Sequence, residues 1–340
     1  MKTKKLKSRD LHPEGIAEEF DRLMLLDIDD MLTHRSDFSD TCCPACHGSH
    51  VPYAFTYQNL DYRRCAHCGM LYISPAPSEK LHLDFVRNSR AMAFWREMLP
   101  PDMKVTRRPM YQERVAYARA VWERFGVRPD SILELGAGNG EFAEELAATG
   151  ATKNIVLLEP QALHLDADGI EIITEGFEAL EKADRKFDTV FAWELIEHVL
   201  EPDVFLRLVR KVLKPGAPLI LSTPNERSIE TRKLGTASSN ILFDHVRLYN
   251  PVAMQALMAR NGFRIIESCT PGKLDVDRLQ QHRKANPDAY INDHGLSLIL
   301  DDEQAADDFQ TFLQTHSLSS HMRVVAVADA EWNGSQTPRL

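Results

Sequence analysis

From residue 131 onward the chain alternates short β-rich runs with longer helical ones, and this alternation limits the possible folds more than any other feature. Ser131–Leu135, Asn154–Glu159, Ile170–Thr174, Phe187–Trp193, Pro218–Thr223, Phe263–Thr270 and Met322–Ala328 are rich in residues that fill a buried pleated surface. Helical text separates the first five, notably in Glu141–Thr149 and Glu201–Leu213, and strand–helix–strand crossovers make neighbouring strands parallel with both faces covered. The expected fold is α/β, built on a seven-stranded, mostly parallel sheet. Gly150, Gly216 and Gly262 are expected to cap helices at their carboxyl ends.

Upstream the text changes character. Residues 1–40 are expected to form an amino-terminal helical segment, in which Phe20, Leu23, Met24 and Ile28 give Ile16–Leu32 an apolar docking face. Residues 41–80 hold Cys43-x2-Cys46 and Cys65-x2-Cys68, a spacing that suits a small zinc-binding module with four thiolate ligands and a reducing compartment. Four thiolates close the coordination shell, so the zinc is expected to be structural rather than catalytic. Competing registers would use Cys42, His47, His50 or His67. Tyr53, Phe55, Tyr57 and Tyr62, between the pairs, are expected on the packing face of a small sheet, and Ser74-Pro75-Ala76-Pro77 as a rigid exit. Residues 81–130 read as a helical connector, interrupted at Pro100-Pro101 and Pro109. Residues 131–340 form the sheet domain, with an insertion at 273–320 that carries helical text in Asp301–Gln314.

Composition removes several classes. With 44% apolar and 26% charged residues the 340-residue chain is globular rather than disordered, and no run approaches the roughly 18 apolar residues of a membrane span. The basic stretch Met1–Lys7 leads into acidic text rather than an apolar signal core, so a cytoplasmic protein is expected. A net charge of −10 disfavours nucleic acid as the partner, although Arg63-Arg64 and Lys104–Arg108 could form a local basic patch.

Ile132-Leu-Glu-Leu-Gly136-Ala-Gly138-Asn-Gly140-Glu-Phe142 runs from a strand through a glycine loop into a helix, a place where backbone can approach a ligand closely. Position 141 is glutamate where a dinucleotide fingerprint has glycine, and Glu134 suits a cationic ligand better than a diphosphate. Glu159 ends the next strand, where an acid can accept both hydroxyls of a ribose. The pairing of Glu134–Gly140 with Glu159 resembles the class I S-adenosylmethionine-dependent methyltransferases, whose fold is Rossmann-like. Phe187–His198, Leu213-Lys-Pro-Gly216 and Ser222-Thr-Pro-Asn225 look like the fourth and fifth strands of that family. The resemblance implies S-adenosyl-L-methionine as methyl donor and an antiparallel last strand. It also implies that Gly136, Gly138 and Gly140 border the donor, that Glu159 takes its ribose, and that Phe177 and Trp193 flank the adenine or sulfonium unless they are ordinary core.

Methyl transfer to a hydroxyl or carbon acid also needs a base, and His or Glu is the usual choice. His245, in Asn240–Tyr249, is similar in placement to the histidine segment of sugar C-methyltransferases and is the leading candidate, against a structural or substrate-binding histidine. Glu194, Glu197 and His198 form a second candidate cluster, expected on one helical face, against the alternative of helix-start charge and support for neighbouring residues. The element typical of methylases acting on planar exocyclic amines is missing after the fourth strand. A zinc ribbon ahead of such a domain is similar to methyltransferases acting on nucleotide-linked sugars and surface-glycan precursors, and to some ribosomal RNA methyltransferases. The expected function is methyl transfer, at carbon or oxygen, to a small or carrier-linked acceptor, plausibly a nucleotide-activated sugar. The alternatives are a ribosomal or transfer RNA methyltransferase and a catalytically silent interaction protein.

Overall fold

A computed structural model describes residues 15–98, 101–161, 163, 165 and 168–329; the basic terminus Met1–Lys7 and the last residues of the 131–340 zone lie outside them. In chain order the elements are α1 (Ile16–Leu32), β1 (Phe38–Ser39), β2 (Tyr53–Tyr57), β3 (Leu60–Arg64), β4 (Leu71–Ile73), β5 (Ala76–Pro77), α2 (Glu79–Asn88), α3 (Arg90–Met98) and α4 (Pro101–Phe125). They continue with β6 (Ser131–Leu135), α5 (Glu141–Ala148), β7 (Asn154–Leu158), β8 (Ile170–Ile173), β9 (Thr189–Trp193), α6 (Pro202–Val212), β10 (Pro218–Pro224) and α7 (Ile229–Leu234). The remainder is β11 (Arg247–Leu248), α8 (Pro251–Arg260), β12 (Phe263–Cys269), α9 (Asp275–Ala285), α10 (His294–Asp301), α11 (Glu303–Thr315) and β13 (His321–Ala328).

Seven strands form one sheet in the order β12-β13-β10-β9-β6-β7-β8, with β13 antiparallel to both of its neighbours and the rest parallel. The seven expected strands are all present. β9 and β10 are buried at every position, as strands covered on both faces must be. One face packs on α6 and α8 through Phe205, Leu208, Val209 and Leu257, and the other on α4 and α5 through Val121, Trp122, Phe142 and Leu146. Each such side chain contributes about 1.5–3 kcal/mol by leaving water. The chain goes from β6 outward to β7 and β8, then returns to place β9 and β10 on the other side of β6. Ligand crevices in open α/β sheets form at this kind of reversal, at the carboxyl ends of the strands.

Several local expectations change. Phe187 lies outside β9 and only bridges to Leu213. Pro109 does not interrupt α4; a 25-residue helix absorbs the loss of one main-chain hydrogen bond at an exposed position. Gly150 and Gly262 follow helix ends with left-handed φ, but α6 ends at an extended Leu213 and Gly216 belongs to the turn beyond it. The helical text of the insertion is three helices, α9, α10 and α11, around Leu279, Leu296, Leu300 and Leu313.

The cysteine segment builds a second sheet, β11-β4-β3-β2. Its hairpin turns at Gln58-Asn59, both with positive φ as a two-residue hairpin turn requires, and Phe55 stacks on Tyr62 at 4.8 Å. Tyr53, by contrast, is exposed. Its edge strand β11 comes from the far end of the chain: Arg247 and Leu248 pair with Tyr72 and Leu71. Arg247 is buried, donates to the carbonyls of Ile73, Val246 and Leu200, and faces the Tyr72 ring. Arg247→Ala should lower unfolding stability by about 2–4 kcal/mol in urea titrations, since charge-assisted bonds to three carbonyls are lost inside the protein. A change under about 0.5 kcal/mol would show that the junction does not depend on this guanidinium.

Candidate active site

β6 opens into the glycine loop at the carboxyl edge of the sheet. Gly136, Gly138 and Gly140 all have positive φ, at 67°, 57° and 76°. The left-handed backbone selects glycine at all three positions, and a Cβ at Gly136 or Gly140 would in addition push aside the end of a leucine side chain, Leu195 or Leu165. Glu159 leaves β7 facing this loop; its Oε2 accepts the Gly138 N–H at 3.0 Å and its Oε1 the Gln161 N–H at 3.2 Å. Glu134 is buried, with no hydrogen-bond partner for Oε2. Burial pushes its carboxyl up to about 8, against the pull of Arg114. A cation or hydroxyl entering here would relieve an orphaned oxygen.

The two aromatics fall in different cores. Phe177 begins a 3-10 turn and meets Phe205 edge to face at 5.3 Å. Trp193 packs with Phe142 and Phe191 beneath the Arg114 guanidinium, and its indole N–H is buried without a partner.

After β9 the chain departs from the expected helix. Glu194 has φ 51°, and only Ile196–His198 coil, as a 3-10 turn, so Glu194 does not share a helical face with Glu197 and His198. Its carboxylate is occupied elsewhere: His321 lies 2.9 Å away, Ser222 donates at 2.5 Å and Arg114 approaches to 3.9 Å. Glu197 and His198 instead converge with His245, their ligating atoms all within 4.8 Å of one another. Glu197 is fully buried, and burial, then the Glu194 charge, raises its carboxyl well above the usual value. The His198 and His245 rings meet edge to face at 4.9 Å. His198 Nδ1 lies 2.8 Å from the Asp244 carbonyl and His245 Nδ1 2.9 Å from the Asn240 carbonyl. A carbonyl only accepts, so both Nδ1 atoms carry a proton and Nε2 is the second nitrogen of each ring. Behind them, buried His82 hydrogen-bonds the His198 carbonyl.

The four expected cysteines meet as well. Cys43 Sγ and Cys68 Sγ lie 3.5 Å apart, as do those of Cys46 and Cys65, and all four fall within 4.8 Å of one another. Tetrahedral zinc with bonds of about 2.3 Å needs sulfurs about 3.8 Å apart, so the donor set and its spacing fit. Gly48 sits where a Cβ would stand 2.7 Å from the His67 ring and 3.3 Å from Cys46 Sγ. His47 is drawn to Asp203 at 3.1 Å, and Cys42 is exposed.

Residues 109–268 match a family model described as a methyltransferase domain. Residues 109–268 thus carry a methyltransferase domain. Ubiquinone biosynthesis O-methyltransferases are among its relatives. That of Brucella anthropi is 27% identical over 151 residues, 40% of this chain and 60% of that protein. That of Agrobacterium fabrum is 26% identical over 206 residues, 53% and 80% respectively. That of Dinoroseobacter shibae is 37% identical over 103 residues, 28% and 41%. The matched stretches span 60% of the first of these relatives, 80% of the second and 41% of the third. An S-adenosylmethionine-dependent methyltransferase from Clostridium acetobutylicum aligns at a TM-score of 0.44 and 9% identity, over 65% of this chain and 92% of that one.

Arg114 and His321, which neither motif nor spacing singles out, complete the methyltransferase domain's polar edge through Glu194. Burial alone would raise the Glu194 carboxyl, yet His321, Arg114 and Ser222 hold it well below its ordinary 4.5. Burial would likewise lower His321, but Glu194 raises it above 6.5. A depressed acid adds stability above its unfolded pKa, and a raised histidine adds stability below its own, so the pair contributes fully between pH 4.5 and 6.5. The melting-temperature deficit of His321→Asn should be greatest in that window and shrink as the pH rises through the raised pKa of His321. A deficit independent of pH would contradict the ion pair.

Proposed function

We propose that this protein transfers a methyl group from S-adenosyl-L-methionine to an oxygen of a small or carrier-linked acceptor. The observation that carries this reading is the position of two groups on one sheet edge. The Glu134–Gly140 loop faces Glu159 on one side of the β6–β9 switch point, and on the other His198, after β9, meets His245, just before β11. The relatives' designation as O-methyltransferases favours oxygen over carbon. A nucleotide-activated sugar or surface-glycan precursor is the acceptor class favoured by a cysteine module preceding the domain. RNA is less favoured: Arg64 pairs with Glu226, Lys104 with Glu144 and Arg108 with Glu145, so the local basic residues are largely neutralised.

S-adenosyl-L-methionine supplies an electrophilic methyl group on a sulfonium. The glycine loop lets main chain approach it, the Glu159 carboxylate beside the loop would accept from ribose hydroxyls, and buried Glu134 favours positive charge nearby. Holding acceptor and methyl in line supplies most of the acceleration. In the simplest form of the reaction, the neutral His245 ring, kept so by burial, takes the acceptor proton at Nε2. The four thiolates are assigned to one structural zinc.

Purified protein incubated with labelled donor should pass label to a small-molecule pool and not to RNA; labelling of RNA alone would overturn the acceptor class. His245→Ala should reduce turnover at least about 100-fold while donor affinity changes less than about twofold. Glu159→Ala should weaken donor binding about tenfold or more by calorimetry, from the loss of charge-assisted bonds. Metal analysis should find one zinc per chain, lost in Cys65→Ser.

A further inference from the structure

The insertion over residues 273–320 starts and ends beside His321, which opens β13 opposite Pro224 at the carboxyl end of β10. The His321 Nδ1–H is committed to Glu194 Oε2 at 2.9 Å, and that carboxylate is itself fixed by the Ser222 hydroxyl at 2.5 Å. The ring is 38% exposed, and its Nε2 has no partner among the described residues. A carboxylate on one nitrogen orients the ring, favours its doubly protonated form and leaves the other nitrogen as a fixed donor. Against burial, Glu194 raises His321 above its ordinary value, whereas burial lowers His245. Environments that push two such groups apart suit them to opposite roles, His245 as proton acceptor and His321 as charged donor.

Gly272 brings the start of the insertion onto this edge: a Cβ there would stand 2.9 Å from the Ser320 main-chain N and 3.0 Å from that of His321. Arg278, in α9, is the insertion's cation at this point. Its Nη1 donates to Glu230 at 2.7 Å, and its Nε–H is buried without a partner. Arg323, two residues on from His321 and on the same face of β13, is by contrast held at both Nη atoms by Glu113. The charges around His321 are thus Glu194 after β9, Arg114 of α4 behind it, and Arg278 and Glu230 from α9 and α7. Burial pushes Asp275, at the start of α9, towards its neutral form. Three cations there meet two carboxylates, which leaves room for one more negative charge.

We infer that His321, together with Arg278 of the insertion, binds an anionic oxygen of the methyl acceptor, a phosphate or a carboxylate. This rests on the methyl-transfer reading and narrows its acceptor class. A sugar linked to a nucleoside diphosphate carries phosphate oxygens, and a sugar acid carries a carboxylate. The His321 Nε2–H donates to the anion and the guanidinium offers a second N–H, so both bonds are charge-assisted. A neutral polyol could accept the same hydrogen bond but gains nothing from the charge.

The test follows the histidine rings of the full, zinc-loaded chain by nuclear magnetic resonance, with S-adenosylhomocysteine bound, as UDP-glucose, glucuronate or glucose is added. UDP-glucose or glucuronate should shift the His321 ring resonances and raise the pKa of that ring, whereas glucose should do neither. The tighter of the two anions names the source, phosphate or carboxylate. By calorimetry, His321→Gln and Arg278→Gln should each weaken that anion about tenfold or more while S-adenosylhomocysteine affinity changes less than about twofold. The wild-type resonances and Arg278→Gln decide the matter should His321→Gln fail to fold. If neither anion moves the His321 resonances, if glucose moves them as far, or if the variants keep wild-type anion affinity, the assignment is overturned and Glu194–His321 is a stabilising ion pair only. Failure to bind S-adenosylhomocysteine would instead strike the methyl-transfer reading, with the anion titration of the unliganded chain still deciding His321.

Discussion

The pairing of Arg247 and Leu248 with Tyr72 and Leu71 is the contact on which the proposed acceptor side of the molecule depends. It is only two residues long, yet it joins the segment after β10 to the sheet of the cysteine module. Around it the Ile73 N–H bonds the Val246 carbonyl, Tyr62 reaches the Leu242 carbonyl, and the Asn250 side chain bonds the Cys68 carbonyl while capping α8. His245 is held inside this frame. The segment that carries it is therefore held from both sides, by the methyltransferase domain through Glu226, His198 and Thr231 and by a module drawn from residues nearly two hundred positions earlier.

The proposed donor and acceptor halves of the site consequently have different physical origins. The donor half is local: a strand, a glycine loop and a helix in one continuous stretch, closed by an acid at the end of the adjacent parallel strand. The acceptor half is assembled from afar, with His198 after β9, His245 beside β11, His82 from α2 behind them, and the Glu194–His321 pair linking β9 to β13. Further contacts tie the module to the domain: Arg64 pairs with Glu226, and Arg260 donates to the Pro44 carbonyl. A change of acceptor could thus be accommodated in the module and its strap without disturbing the donor loop.

This division also explains what could be read from the sequence. Strands β6 to β10 are continuous apolar runs between helical segments, and the glycine spacing with Glu159 is a pattern of neighbours in sequence; both were legible. So were the paired cysteines, whose spacing is itself the geometry. Glu194 was misread because i, i+3, i+4 spacing assumes an α-helix, whereas its left-handed φ turns it towards His321. The meeting of Glu197 and His198 with His245 had no local signal: it depends on a two-residue strand too short for any periodicity. Trp193 was a comparable case, since an aromatic at a strand's end reads the same whether it lines a cleft or, as here, packs against Phe142 and Phe191.

Amide hydrogen exchange in a Cys65→Ser/Cys68→Ser variant tests most directly whether the cysteine module holds the acceptor segment. Exchange should quicken in residues 240–250 together with β3 and β4, while β6, β9 and β10 keep their protection. If residues 240–250 stay as protected as in the wild type while the module opens, the strap is held by the methyltransferase domain alone and the account is wrong.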